Sequence, residues 1–368
     1  MRARGILLAI GLSAVFSAGA AEGEKLTIGD RETIVFYGDS ITEQNLYSAY
    51  LETFLITRFP QKDLAIYNFG WSGDTAKGGA GRFLRDAGRV KPSLVFVNFG
   101  MNDGGYMRYE DWIGESYIAA QRRMAGIVRK SGARLVWFTQ SPVDCHEKNV
   151  PGWCPGYNGT LERMAGMLKS LGAETGVQVI DLFSPMLAIL ESAKRETPGS
   201  TFIPDSIHPD ETGHMVMAYC ALKAMVVEAG GGVLSLGTGH AAADGRMAAS
   251  NLRRAEGRIE FDLHLPFIPF YVPQEARRAL SLVPFQEEFN RFVLRVPEWD
   301  QTEDCEVYVD GLKVAVVPGG RMVEGLDLAA LDLAPWAVQA GRVWEISQVR
   351  WKSISKRGGR WSWATPRH

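Results

Sequence analysis

The sequence predicts a three-layer α/β domain followed by a β-rich region that ends in a helix. Three observations carry that expectation. From Thr33 onward, short and nearly continuous apolar runs alternate with longer amphipathic stretches, as they do in parallel sheets covered by helices on both faces. Beyond the glycines at 230–232 the apolar period shortens to alternation, the pattern of half-buried antiparallel strands. The 368 residues, at ~150 per domain, allow two such units.

Five runs read as the parallel strands: Thr33–Tyr37, Leu64–Phe69, Leu94–Phe99, Arg134–Thr139 and Val177–Leu182. Helical periodicity fills Tyr47–Arg58, Tyr109–Lys130, Leu161–Glu174 and Met186–Arg195, and a last helix covers Glu211–Glu228. These elements set a first domain over residues 27–229, closed by a helix stop and linker at Ala229–Gly232. Residues 233–368 form the second region. There Gly257–Leu265, Arg291–Val296 and Glu306–Val309 alternate polar and apolar side chains, and Val309-Asp310-Gly311-Leu312 reads as a hairpin turn. A final helix begins at Pro335, where a missing N–H costs little. Trp336, Ala340, Val343, Trp344, Trp351 and Ile354 share one of its faces and are expected to fix the tail by packing.

Ahead of the first strand, Arg2 and Arg4, the apolar run Ile6–Phe16 and the small residues Ala18-Gly19-Ala20 compose a signal peptide over residues 1–20. Cleavage is expected after Ala20, which predicts a secreted or periplasmic protein. An uncleaved anchor is the alternative, but the run falls short of the ~20 residues that span a bilayer. With 40 Lys+Arg against 42 Asp+Glu, nucleic acid and acidic lipid are poor partners. Export also puts the cysteines where disulfides form. Cys145 and Cys154 flank a Pro/Gly-rich loop and are the expected pair, with metal binding the weaker reading for want of CxxC or histidine spacing. Cys220 lies in an apolar helical pattern, as a buried thiol would; Cys305 has no assignment.

Four separated segments place polar side chains just past a strand or before the last helix: Gly38-Asp39-Ser40, Ser72-Gly73-Asp74-Thr75, Gly100-Met101-Asn102-Asp103 and Asp205-Ser206-Ile207-His208-Pro209. The carboxyl ends of parallel strands lie on one edge, so these segments can converge. Ser40 is the candidate nucleophile. A serine hydroxyl needs a base, for which His208 is the candidate, and Asp205 is placed to hold the imidazole Nδ1–H and stabilise the imidazolium. Acyl transfer also needs donors at the developing oxyanion. The backbone N–H groups of Gly73 and Ser40 and the Asn102 amide are the candidates.

On these four blocks the sequence resembles the SGNH subgroup of the GDSL esterase/lipase family. The first block matches Gly38-Asp39-Ser40-Ile41, the second-block glycine matches Gly73, the third block matches Gly100-x-Asn102-Asp103 and the last matches Asp205-x-x-His208-Pro209, in order, across roughly residues 30–228. The resemblance implies a flavodoxin-like sheet, ester hydrolysis through an acyl-serine intermediate, and no metal or organic cofactor. The region from about 230 is absent from the minimal family fold, so nothing is carried over to it. Export and the wording Gly-Asp-Ser-Ile-Thr and Trp-Ser-Gly-Asp-Thr are most similar to members that deacylate carbohydrates. The expected substrate is therefore a small-molecule or glycan ester with a short acyl group such as acetyl. A lipase or thioesterase for longer chains, transfer to an acceptor other than water, and a non-catalytic glycan-binding protein stay open.

Other residues have plainer roles. Asp39 and Asp103 are expected to be structural hydrogen-bonders and His214 a packing residue, while Ser72 is a weak rival nucleophile without the Gly-x-Ser-x-Gly elbow. Trp71, His146 and Trp153 are possible substrate contacts near the catalytic edge. For aromatic rings packing is the ordinary alternative, and for His146 a solvated loop position is. No dinucleotide fingerprint follows the first strand and no Walker-type Gly-x4-Gly-Lys occurs, and Asp205, His208 and Asp210 lack the second histidine cluster a metal site needs.

Overall fold

Five parallel strands make the central sheet: β1 (Arg31–Gly38), β2 (Asp63–Asn68), β3 (Leu94–Asn98), β4 (Arg134–Phe138) and β5 (Gln178–Ile180), in the order β2-β1-β3-β4-β5. The computed structural model describes residues 26–145, 152–225, 230–237, 240–255, 257–353, 355–357 and 360–362. The expected signal peptide of residues 1–20, Ala229, His146, Ile354 and the Trp351 side chain lie outside the described residues. Successive side chains of a strand point to opposite faces, and β1 divides accordingly. Ile34 and Phe36 join one core layer, Val35 and Tyr37 the other. β3 is buried along its whole length, which explains its unbroken apolar run.

Helices cover both faces: α1 (Ser40–Glu43), α2 (Tyr47–Arg58), α3 (Ala76–Asp86), α4 (Asp111–Lys130), α5 (Tyr157–Thr175), α6 (Phe183–Glu196) and α7 (Glu211–Ala224). This is the three-layer α/β/α architecture expected. α3 is an addition, hidden in the sequence because Gly78, Gly79 and Gly81 each lower helix propensity by about 1 kcal/mol relative to alanine. Gly79 has a packing reason: a Cβ there would stand 2.5 Å from the Phe99 ring.

The second region contains β6 (Gly232–Gly237), β7 (His240–Gly245), β8 (Ala248–Ala255), β9 (Arg258–His264), α8 (Phe285–Phe289), β10 (Phe292–Arg295), β11 (Cys305–Val309), β12 (Leu312–Val317), α9 (Gly319–Glu324), β13 (Leu326–Asp327) and α10 (Pro335–Ser353). β8 pairs with β9, and β11 with β12, as antiparallel ribbons, the second through the expected hairpin turn. The four-stranded sheet β13-β10-β6-β7 departs from the all-antiparallel expectation, because β10 runs parallel to β6. Parallel neighbours need a crossover. Here the crossover holds the β8/β9 ribbon, a 3-10 segment at Gln274–Ser281 and α8.

That crossover packs on the first domain. Phe270, Phe285 and Phe289 surround the Phe54 ring of α2 at 5.8, 6.3 and 6.0 Å. α10 starts at Pro335 as expected and spans both regions. Trp336 belongs to the core of the second, whereas Trp344 stacks on Tyr50 of α2 at 4.9 Å and the buried Ser347 hydroxyl donates to Glu52 at 2.8 Å. Cys145 and Cys154 form the expected disulfide, and Cys220 and Cys305 are buried free thiols. No helix among the described residues is long and apolar enough to cross a membrane.

Candidate active site

β1 and β3 end side by side, Gly38 opposite Asn98, where the strand order reverses and open α/β sheets form their ligand crevices. Asp39 follows β1 and caps α1, its side-chain Oδ1 accepting from the Ile41 N–H at 3.0 Å. Ser40 is thereby the first residue of a helical turn, where backbone N–H groups lack intrahelical partners.

The loop before α7 brings the base to it. His208 Nε2 lies 2.8 Å from Ser40 Oγ, and Nδ1 lies 2.6 Å from Asp205 Oδ2. The other Asp205 oxygen accepts from the backbone N–H groups of His208 at 2.6 Å and Ile207 at 2.9 Å. Partial burial works against ionisation of Asp205, but the hydrogen bonds from His208 and Ile207 outweigh it and hold the carboxyl below the usual range. Ser206, in the left-handed region at φ 72°, makes the tight loop.

Gly73 sits in the loop after β2 at φ 74°, a conformation that favours glycine. Trp71 N–H donates to the Gly38 carbonyl at 3.0 Å, tying this loop to the end of β1. Asn102 follows β3, and its Nδ2 donates to the carbonyl of Asp74, the residue after Gly73, at 2.8 Å. The structure thus joins Ser40, His208 and Asp205 directly, and links the Gly73 and Asn102 loops through Asp74.

The remaining sequence candidates separate cleanly. Ser72 donates to the Glu43 carboxylate rather than to a histidine. His214 is fully buried and stacked on Tyr47 at 5.9 Å. Burial, reinforced by His208, pushes it down to about 3, so it stays neutral as a packing residue should. Asp39 is fully buried and pushed up to about 8 by desolvation, with Asp103 and Asp74 adding to the shift. Asp103 is pushed up to about 7, again by burial first, while it accepts from the Ala76 N–H at 3.0 Å. Trp153 packs in an aromatic group with Tyr106 and Tyr157, and Trp71 lies beside Arg82, ring centre to guanidinium carbon 5.7 Å. Among the described residues no group of three or more His, Cys, Asp or Glu side chains is placed to hold a metal.

Sequence reasoning missed Arg82. From α3 its buried guanidinium reaches Asp74 at 2.7 Å, the Phe69 carbonyl at 3.0 Å and the Gly38 carbonyl at 3.1 Å, over the face of Tyr37 at 4.4 Å. It braces the ends of β1 and β2 together. Asn68 does the same nearer α1, donating to the Thr42 carbonyl at 2.7 Å and accepting from the Gly70 N–H at 2.8 Å. Neither has a sequence signature, because most of their partners, backbone carbonyls among them, are brought in by the fold from other elements.

Residues 36–216 match the model of the GDSL-like lipase/acylhydrolase family. An acetylxylan esterase of Geobacillus stearothermophilus is 23% identical over 219 residues, 54% of this chain and 95% of its own length. Among solved structures, BT4096, a gut microbial diltiazem-metabolizing enzyme, superimposes with TM-score 0.81 at 25% identity, covering 90% of this chain and 80% of its own. A structure of a catalytic mutant of Axe2, an acetylxylan esterase from Geobacillus stearothermophilus, aligns with 55% of this chain and 98% of its own at 21% identity and TM-score 0.47.

Proposed function

We propose that this chain, whose residues 36–216 belong to the GDSL-like lipase/acylhydrolase family, cleaves short-acyl esters of carbohydrates with Ser40 as nucleophile, His208 as general base and acid, and Asp205 as orienter. The family makes it a carboxylic ester hydrolase. The observation that carries the assignment of residues is the unbroken relay from Asp205 Oδ2 to His208 Nδ1 at 2.6 Å and from His208 Nε2 to Ser40 Oγ at 2.8 Å.

In acylation, Ser40 Oγ bonds to the ester carbonyl carbon while its proton passes to His208 Nε2, and Asp205 stabilises the imidazolium without taking a proton. The carbonyl oxygen becomes an oxyanion facing the Ser40 and Gly73 N–H groups and Asn102 Nδ2. Collapse breaks the carbon–oxygen bond to the alcohol, which leaves with the Nε2 proton. Water then repeats the sequence, giving up its proton to Nε2, and the acid departs as the proton returns to Ser40 Oγ.

The acetylxylan esterase relative supports a short acyl group on a carbohydrate, as does the basic-apolar-small pattern of residues 1–20, which points to export. The test is turnover of acetylated xylooligosaccharides and p-nitrophenyl esters of increasing acyl length by the native protein and Ser40→Ala, with fluorophosphonate labelling mapped to its serine. Labelling at Ser40, loss of turnover in the variant and a preference for acetyl are expected. Full activity in Ser40→Ala refutes the assignment. A long-chain site would instead gain about 0.8 kcal/mol per added methylene.

A further inference from the structure

We infer that Tyr106 is a positioning residue of the ester-cleaving site, whose hydroxyl fixes the Asn102 carboxamide so that Nδ2 is set to donate before an oxyanion forms. The inference rests on the proposed role of Asn102 as an oxyanion donor.

The Asn102 amide is held at both ends. Nδ2 donates to the Asp74 carbonyl at 2.8 Å, and Oδ1 accepts from the Tyr106 hydroxyl at 2.8 Å. A carbonyl can only accept, so Asp74 decides which end of the amide is nitrogen, and the second Nδ2 hydrogen remains for substrate. Rotation about the terminal amide torsion is otherwise broad. The Tyr106 bond restricts it. An oxyanion donor is effective because it needs no reorganisation as charge develops, so this restriction acts on turnover rather than on binding.

Tyr106 is also held against its local preference. Its backbone lies in the left-handed region at φ 55°, directly after Gly105 at φ 63°, an outlier for a bulky side chain. Ring contacts hold it there: Trp153 edge-on at 4.9 Å and Tyr157 stacked at 5.2 Å. Both neighbours are anchored. Tyr157 is fully buried with its hydroxyl on the carbonyl of Met101, which precedes Asn102, and Trp153 precedes Cys154 of the disulfide. Burial, together with the Asp39 and Asp205 carboxyls, pushes the Tyr106 phenol up to about 12, so it remains a donor across neutral pH.

Tyr106→Phe keeps the ring stack and deletes only the hydroxyl. The expected result on p-nitrophenyl acetate is a kcat about five- to tenfold lower, the size of one net hydrogen bond, with KM within twofold and the melting temperature unchanged. The double variant with Asn102→Ala should be no slower than Asn102→Ala alone, since the hydroxyl then has nothing to position. Wild-type kcat in Tyr106→Phe beside a crippled Asn102→Ala overturns the inference, as does a loss that multiplies fully with Asn102→Ala. Wild-type turnover in Asn102→Ala itself removes the premise, a failure distinguishable from the other two.

Discussion

Replacing Asp39 by asparagine is expected to stabilise the protein at neutral pH, although Asp39 adjoins the proposed nucleophile. The native carboxyl is fully buried, with one oxygen on the Ile41 N–H at 3.0 Å and the other without a hydrogen-bond partner among the described residues. Its pKa stands at about 8, against 3.8 for an unperturbed aspartate. Between those two values the unfolded chain has released a proton that the native protein keeps. Stability therefore falls as pH rises through this window, by about 1.4 kcal/mol per pH unit, and the loss reaches about 4 kcal/mol at pH 7. Asparagine has nearly the same shape, retains the capping oxygen for Ile41, and titrates in neither state. Its amide nitrogen faces the unpartnered side at a cost of about 1–3 kcal/mol. The variant should thus be no more stable than the native protein near pH 4 and overtake it as pH rises to 7. Urea unfolding of both proteins at several pH values measures the difference directly. A variant-minus-native stability difference that stays flat with pH, or that turns against the variant as pH rises, would refute the reasoning.

Two further perturbations probe the frame around the site. Arg82→Met leaves the largely buried Asp74 carboxylate without its guanidinium partner and should cost several kcal/mol, about 3 by the range for broken buried pairs; an unchanged melting temperature would contradict the bracing role. A chain ended at residue 229 uncovers Tyr50, Phe54 and Glu52, which the second region covers. It should be insoluble or aggregate, and a soluble, active fragment would show that this contact is dispensable.

The central strands and the relay were legible because each has a strong one-dimensional sign. Apolar runs such as Leu94–Asn98 mark a strand buried on both faces, and Asp205 and His208 are close enough in sequence to fix their mutual geometry through one tight loop. α3 was illegible, because its glycines argue for a loop until Phe99 is seen to need the space at Gly79. The hydrogen-bonding roles of Arg82 and Tyr106 were illegible for another reason. Arg82 is defined by acceptors at the end of β1, just past β2 and in the loop before its own helix, Tyr106 by an amide four residues away and rings some fifty positions on. Such roles depend on tertiary placement, which periodicity does not encode. The parallel pairing of β10 with β6 escaped for the same cause: alternation gives the faces of a strand and leaves its partner's direction open.

α2 connects the second region to the chemistry. It is buried on nearly every side, as an element caught between a sheet and a second layer must be. From the second region, Phe270, Phe285 and Phe289 surround its Phe54, Trp344 stacks on Tyr50, and the Phe289 carbonyl takes the Arg58 guanidinium. At its other end the Tyr47 hydroxyl bonds Thr42 of α1 at 2.9 Å, and the Tyr47 N–H donates to His214 of α7 at 3.3 Å. α1 carries Ser40, and α7 follows the loop of Asp205 and His208. The helix that the second region grips therefore touches the elements next to both halves of the relay. The 90% coverage of this chain by the BT4096 superposition extends into the second region, so the two regions recur as one architecture.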